Sequence, residues 1–185
     1  MYPNRTRASV RWLVALLSAI AMACAAGAAA TVRYSAVSTE SPLVAGRLLT
    51  QNELAVLAIA YPGENFGKVR VYSRRWRLFQ GEDYLIAPNG NIYWPKADAV
   101  CPDFTACGRT MLRTFVHEAA HIVQYQSGTN VVLSAAMHQI VHHLSLHAYD
   151  PYKFDADLSS PLGLNVEAAA EWHAARFCSM TAACD

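Results

Sequence analysis

The segment His117-Glu118-Ala119-Ala120-His121 carries the clearest chemistry in this 185-residue chain. It has the form His-Glu-x-x-His. On a helix, residues four apart lie one above the other on the same face. Two imidazoles so placed can share one tetrahedral zinc ion. Glu118 lies beside them but off the ligand line, where its carboxylate can take a proton from a water held by the ion. Zinc lowers the pKa of such a water towards about 7, which makes a nucleophile at neutral pH. Two histidines and a glutamate also meet on helices for unrelated reasons. The apolar setting here speaks against that, because unpaired polar groups are costly in it.

A catalytic zinc needs a third protein ligand and an open position. Asn165-Val166-Glu167-Ala168-Ala169-Ala170-Glu171 supplies the candidate. Glu167 and Glu171 are four apart, so both can face the central helix, and the alanines between them permit close approach. Glu167 is the expected ligand. Glu171 is expected to hydrogen-bond a ligand histidine and fix its tautomer. The plainer reading is a solvated acidic face, but this segment carries little other charge. One zinc ion is therefore expected, held by His117, His121 and Glu167.

More histidines follow. His138 and His142 are four apart, as are His143 and His147. A second metal site is one reading; a partly exposed helix face is the plainer one. One of His142, His143, His147, Tyr149 or Tyr152 is a candidate to stabilise an oxyanion, as preorganised donors do in acyl transfer. The sequence does not choose among them.

These residues need elements to hold them. Thr50-Gln51-Asn52-Glu53 is a capping box, and an apolar helix is expected over Gln51–Ala60, stopped by Pro62-Gly63. Lys68–Ser73 alternates and reads as a strand. Asp83–Ala87 and Asn91–Trp94 are expected to pair as a hairpin through Asn89-Gly90. The central helix is expected over Thr110–Gln126, ended by Gly128. Val131–His147 reads as another helix, ended by Asp150-Pro151. Asn165 can cap a last helix to about Phe177. Helix, strands, then three helices make an α+β domain.

The rest of the composition narrows the class. Fifteen basic residues face fourteen acidic ones, a net charge of +1. That gives no electrostatic reason to expect nucleic acid or an anionic membrane as partner. Arg5, Arg7 and Arg11 precede an uncharged run, Trp12–Ala23, and then small residues. This is the layout of a secretory signal peptide over residues 1–30. The apolar run is short of the roughly 20 residues a membrane span needs, so no stable insertion is expected after cleavage. Lipid anchoring through Cys24 is the lesser alternative. Residues 31–46 read as a linker and 47–185 as the domain. Cys101, Cys107, Cys178 and Cys184 remain, and an even count behind a signal suggests disulfides. Of three pairings, Cys101–Cys107 and Cys178–Cys184 are expected, because short loops close most easily. A cysteine zinc site is the competing reading.

The pairing of HEAAH with NVEAAAE resembles the gluzincins, the thermolysin-like branch of zincins. That resemblance implies a downstream-helix glutamate as third ligand and an acidic residue four positions later. Here the latter is Glu171 where the usual residue is Asp, and the interval from His121 to Glu167 is longer than in thermolysin. A closer resemblance, over roughly residues 48–177, is to bacterial Vgr-related proteins with an HExxH peptidase-like domain. It is carried by LTQNEL, FGKVRVY, PNGNIYW, CPDF, FVHEAAHIVQYQSGTNV, YDPYKFD and NVEAAAEW. It implies a minimal zincin-like fold and a link to a bacterial secretion system. In zincins an edge strand lines the cleft, so Ile92, Tyr93 and Trp94 are expected to border a peptide or protein substrate. The expected function is zinc-dependent hydrolysis of peptide bonds by an exported, periplasmic or secreted enzyme. The alternatives are a zincin-fold scaffold without hydrolytic activity and a zinc amidase acting on cell-wall peptide.

Overall fold

The computed structural model describes residues 46–78 and 80–184. The expected signal peptide, Cys24 and all but the last residue of the expected linker lie outside the described residues. Among the described residues the domain is α+β, with a three-stranded sheet and five helices.

Strand β1, Arg47–Leu48, leads into helix α1, Gln51–Ala60. The capping box is formed. The Thr50 hydroxyl accepts from Glu53 N–H at 3.1 Å, and the Glu53 carboxylate accepts from Thr50 N–H at 2.8 Å. Glu53 does more than cap. It is fully buried and takes both terminal guanidinium nitrogens of Arg47 at 2.7 Å and the Phe104 N–H at 3.0 Å. One carboxylate thereby ties β1, α1 and the 3-10 turn Phe104–Ala106 together.

The sheet has the order β1-β2-β3. Strand β2, Arg70–Tyr72, runs antiparallel to β1 and parallel to β3, Ile92–Tyr93. The expected hairpin is corrected. Asp83–Ala87 is not a strand; only Ile86 and Tyr93 bridge, with N–H···O distances of 3.1 and 2.9 Å. Continuing that antiparallel register would set Tyr84 opposite Pro95 and Pro88 opposite Asn91. Proline has no N–H to give a ladder. The Gln80 amide replaces the missing donor, bonding the carbonyls of Tyr84 and Tyr93 at 2.7 and 2.9 Å. Gly90 makes the turn at φ 79°, and a Cβ there would lie 2.9 Å from the Tyr125 ring.

Helix α2, Ala97–Val100, and the Cys101–Cys107 disulfide precede the central helix α3, Arg109–Gln126. Phe115, Val116, Ala119 and Ile122 are fully buried, and Phe115 stacks on Phe104 with centroids 4.9 Å apart. Burial of one such side chain is worth about 1.5–3 kcal/mol. Gly128, at φ 88°, closes α3 by donating to the Tyr125 carbonyl.

Helix α4, Val131–Leu144, ends three residues before the expected boundary. Ser145 takes the cap, and Leu146 and His147 turn left-handed at φ 54° and 68°. Helix α5, Val166–Thr181, runs four residues past the expected Phe177. It ends at left-handed Ala182 and the Cys178–Cys184 disulfide. Its fully buried alanines, Ala168, Ala170 and Ala174, let it lie against α3 in the most extensive helix–helix contact of the fold. Among the described residues no helix is long and apolar enough to cross a membrane.

Candidate metal centre

Helix α3 carries His117 and His121 one turn apart, their ring centroids 5.1 Å apart and nearly perpendicular. The Tyr61 hydroxyl steadies this stretch by donating to the Val116 carbonyl at 2.6 Å. Burial, then the nearby Glu118, pushes the Tyr61 pKa up, so the phenol keeps its proton.

Each imidazole is oriented through its Nδ1. His117 Nδ1 lies 3.2 Å from Glu171 Oε2, a carboxylate that only accepts, so Nδ1 carries the proton. His121 Nδ1 donates to Gln124 Oε1 at 2.8 Å, and the Gln124 amide nitrogen donates to the Val166 carbonyl at 2.9 Å. In neutral rings both Nε2 atoms are then lone pairs. Both face the same atom, Glu167 Oε2, each at 3.5 Å. That is too long for a good hydrogen bond, which spans about 2.7–3.2 Å. It matches the separation of about 3.3–3.4 Å between neighbouring ligands of a tetrahedral ion bound at about 2.0–2.1 Å. Two imidazole nitrogens that share one carboxylate oxygen in this way, with Glu118 also near both rings, can hold a divalent cation.

Protons are the substitute when no cation is bound. Burial depresses the His117 pKa, but Glu167, Glu171 and Glu118 overcome it and raise it to about 9. His121 moves up for the same balance of burial against Glu167 and Glu118. Burial alone would raise Glu167; the two imidazoles hold it down at about 2. Asn165 places that carboxylate by capping α5, its side chain accepting from Glu167 and Ala168 N–H at 2.9 and 3.0 Å.

Glu118 is buried, and its carboxylate lies within 4.8 Å of donor nitrogens of both histidines. Burial pushes its pKa up; His121, His117 and the Ala87 N–H oppose. Glu171 is held on its other oxygen by Arg113, and the His117 hydrogen bond is the main cause of its lowered pKa. Gln124 and Arg113 escape sequence reasoning. Their signal was spacing, Gln124 three residues after His121 and Arg113 four before His117.

A cleft of about 330 Å³ opens beside the cluster, lined by Leu85, Arg113, His117, Glu118, Tyr152 and Glu171 among others. The Tyr152 ring centroid is 6.2 Å from that of His117. Burial, with Glu167 and Glu118 adding, raises its pKa to about 12. The other candidate donors bond elsewhere. His142 Nδ1 contacts the Tyr149 carbonyl, His147 contacts His142, and the Tyr149 hydroxyl meets His138 and Asn165. His143 stands against His142 and His147.

Ile92–Trp94 is not the free edge. All three residues are buried, and β3 is occupied by β2 on one side and by Ile86 on the other. The outer edge is the Asp83–Ala87 segment. Asp83, Tyr84 and Leu85 of this segment line the cleft, while the Ala87 N–H is turned to Glu118. Both cysteine pairs are disulfide-bonded, so no thiolate is left for a cysteine zinc site.

No protein-family model matches the chain. Over 97 residues, 51% of the chain, it is 34% identical to the type VI secretion system spike protein VgrG2b of Pseudomonas aeruginosa. Those residues are 9% of that protein, so the chain spans less than a tenth of the length of the relative it matches. The effector domain of Pseudomonas aeruginosa VgrG2b superposes with a TM-score of 0.70 at 23% identity, covering 93% of this chain and 92% of that one. The chain is similar in sequence to part of a secretion-system spike protein, and it has the fold of that protein's effector domain.

Proposed function

We propose that this chain is a zinc-dependent peptidase of the zincin type, exported and acting as an effector linked to a bacterial secretion system. The observation that carries the reading is the convergence of His117 Nε2, His121 Nε2 and Glu167 Oε2 at 3.5 Å. His117, His121 and Glu167 would hold the zinc. When bound, it would supply a Lewis acid for the scissile carbonyl and for a water. The two disulfides suit an oxidising compartment.

Glu118 is the general base. Its buried carboxylate has a raised proton affinity, suited to taking a proton from the attacking water and giving it to the leaving amine. Asp83, Tyr84 and Leu85 line the cleft, and an extended peptide would lie along this segment. Tyr152, kept protonated by its raised pKa and accepting from the Gln139 amide at 3.1 Å, would donate its proton towards a developing oxyanion. Glu171 and Gln124 hold the rings in the tautomer that leaves both Nε2 atoms free.

Two measurements test this. Protein purified without added zinc should carry about one equivalent. Glu118→Gln should keep that zinc and lose about 10²–10⁴-fold in peptidase turnover. Tyr152→Phe should lose about 10²–10³-fold in kcat with little change in metal content. Unaltered turnover in Glu118→Gln would sink the mechanism.

A further inference from the structure

We propose that His142, His143 and His147 form a second metal site that takes one divalent transition cation of the zinc class, independently of the first centre.

His142 is set up as a ligand in the manner of His117 and His121. Its Nδ1 is bonded to the Tyr149 carbonyl. A carbonyl only accepts, so Nδ1 carries the proton and Nε2 presents a lone pair. A ring N–H fixed on a backbone oxygen is the usual support of a metal-bound histidine. His147 Nδ1 lies 2.6 Å from that Nε2. The ring centroids of His142–His143 and His143–His147 are 5.4 and 5.3 Å apart, against 5.1 Å for His117–His121. The His142–His147 pair is tighter, at 4.4 Å, and has to open on binding.

The backbone is bent to make this cluster. Leu146 and His147 adopt φ 54° and 68°, left-handed for two consecutive non-glycine residues. Each such residue costs on the order of 1 kcal/mol or more. The Ser145 hydroxyl helps hold the bend, accepting from the Tyr149 N–H at 2.9 Å. The bend folds His147 back over His142 and His143 in the last turn of α4. A helix C-terminus favours a cation. Imidazole donors without carboxylates select zinc, copper or nickel over magnesium or calcium.

Among the described residues, the donors of His117, Glu118 and His121 lie within 4.8 Å of one another, and those of His142, His143 and His147 do not yet approach so closely. At the second site the His142–His147 pair is adjacent but closed by its own contact at 2.6 Å, which a cation would displace. His143 is exposed and free to turn in. Binding would pin the turn at Tyr149, three residues before Tyr152 of the cleft.

The test is a Zn²⁺ titration of chelator-treated full-length protein by calorimetry. Wild type should bind two equivalents of different affinity. His142→Ala and His147→Ala should each weaken the lower-affinity equivalent by about tenfold or more, leaving the tight one unchanged. His143→Ala, at an exposed position, carries the same expectation without risk to folding. Zn²⁺ should also slow amide exchange across residues 145–152 in the His117→Ala protein. A single equivalent in wild type, or a second one that survives all three substitutions together, overturns the proposal. His117→Ala removes only the tight equivalent, so the two centres fail separately.

Discussion

Glu53 and Glu167 both sit in the first turn of a helix and both are buried, yet their surroundings are opposite. Glu53 is closed by the chain itself: Arg47 and the Thr50 and Phe104 N–H groups supply donors to both its oxygens. Glu167 turns Oε2 towards two imidazole nitrogens whose other nitrogens are already committed. A buried carboxylate must meet positive charge or strong donors. Where the fold provides them, the carboxylate is architecture. Where it provides more acceptors, the missing charge has to come from outside.

The comparison breaks if the two carboxylates respond alike to substitution. Glu53→Ala should cost about 3–5 kcal/mol, because it leaves Arg47 without its partner. That cost should be the same with or without zinc. Glu167→Ala should instead remove the zinc-induced stabilisation contributed by the tight site, about 4 kcal/mol at a zinc concentration a thousandfold above Kd. Thermal melts of both variants, with zinc and with chelator, decide it. An undiminished zinc-dependent melting shift in Glu167→Ala, measured with His142→Ala also in place, would remove this carboxylate from the candidate site.

A smaller effect sharpens the role of the orienting groups. Gln124→Ala and Glu171→Ala leave all three expected ligands in place. Each should weaken zinc binding about 10–100-fold, measured by competition with a chromogenic chelator. Unchanged affinity would reduce Gln124 and Glu171 to bystanders.

A separate effect is that of pH, where burial and the carboxylates oppose each other at both rings. His117 titrates near 6.5 in an unfolded chain and near 9 in the metal-free fold. A group with a raised folded pKa contributes fully below its unfolded value and loses that contribution as pH rises through the folded one. Metal-free protein should therefore lose stability between pH 6.5 and 9. Zinc-loaded protein should not, because the ion needs neutral imidazoles. Parallel melting curves for the two forms across this range would contradict the assignment.

The candidate metal centre was legible in sequence to the extent that it is local. HEAAH and EAAAE each place their side chains by helical period alone, and the capping box at Thr50 marks the start of α1. The sheet was not legible. β1 pairs with β2, and β2 with β3, across some twenty residues, a partnership that no local pattern encodes. Pro88 and Pro95 reduce the Asp83–Ala87 hairpin to one bridge, which moves the free edge away from Ile92–Trp94. Val131–His147 read as helix to its end because nothing in Leu146 or His147 announces left-handed backbone.

Sequence alone therefore determined which groups can bind a cation and which helices carry them, since ligand chemistry and helical spacing are properties of short segments. Only the tertiary structure decided that Glu167 meets both imidazoles, that Tyr152 and not its neighbours enters the cleft, and that Glu53 is sealed. Each of these depends on how α3 packs against α5 and on which donors reach a buried oxygen first, and such contacts join residues tens of positions apart.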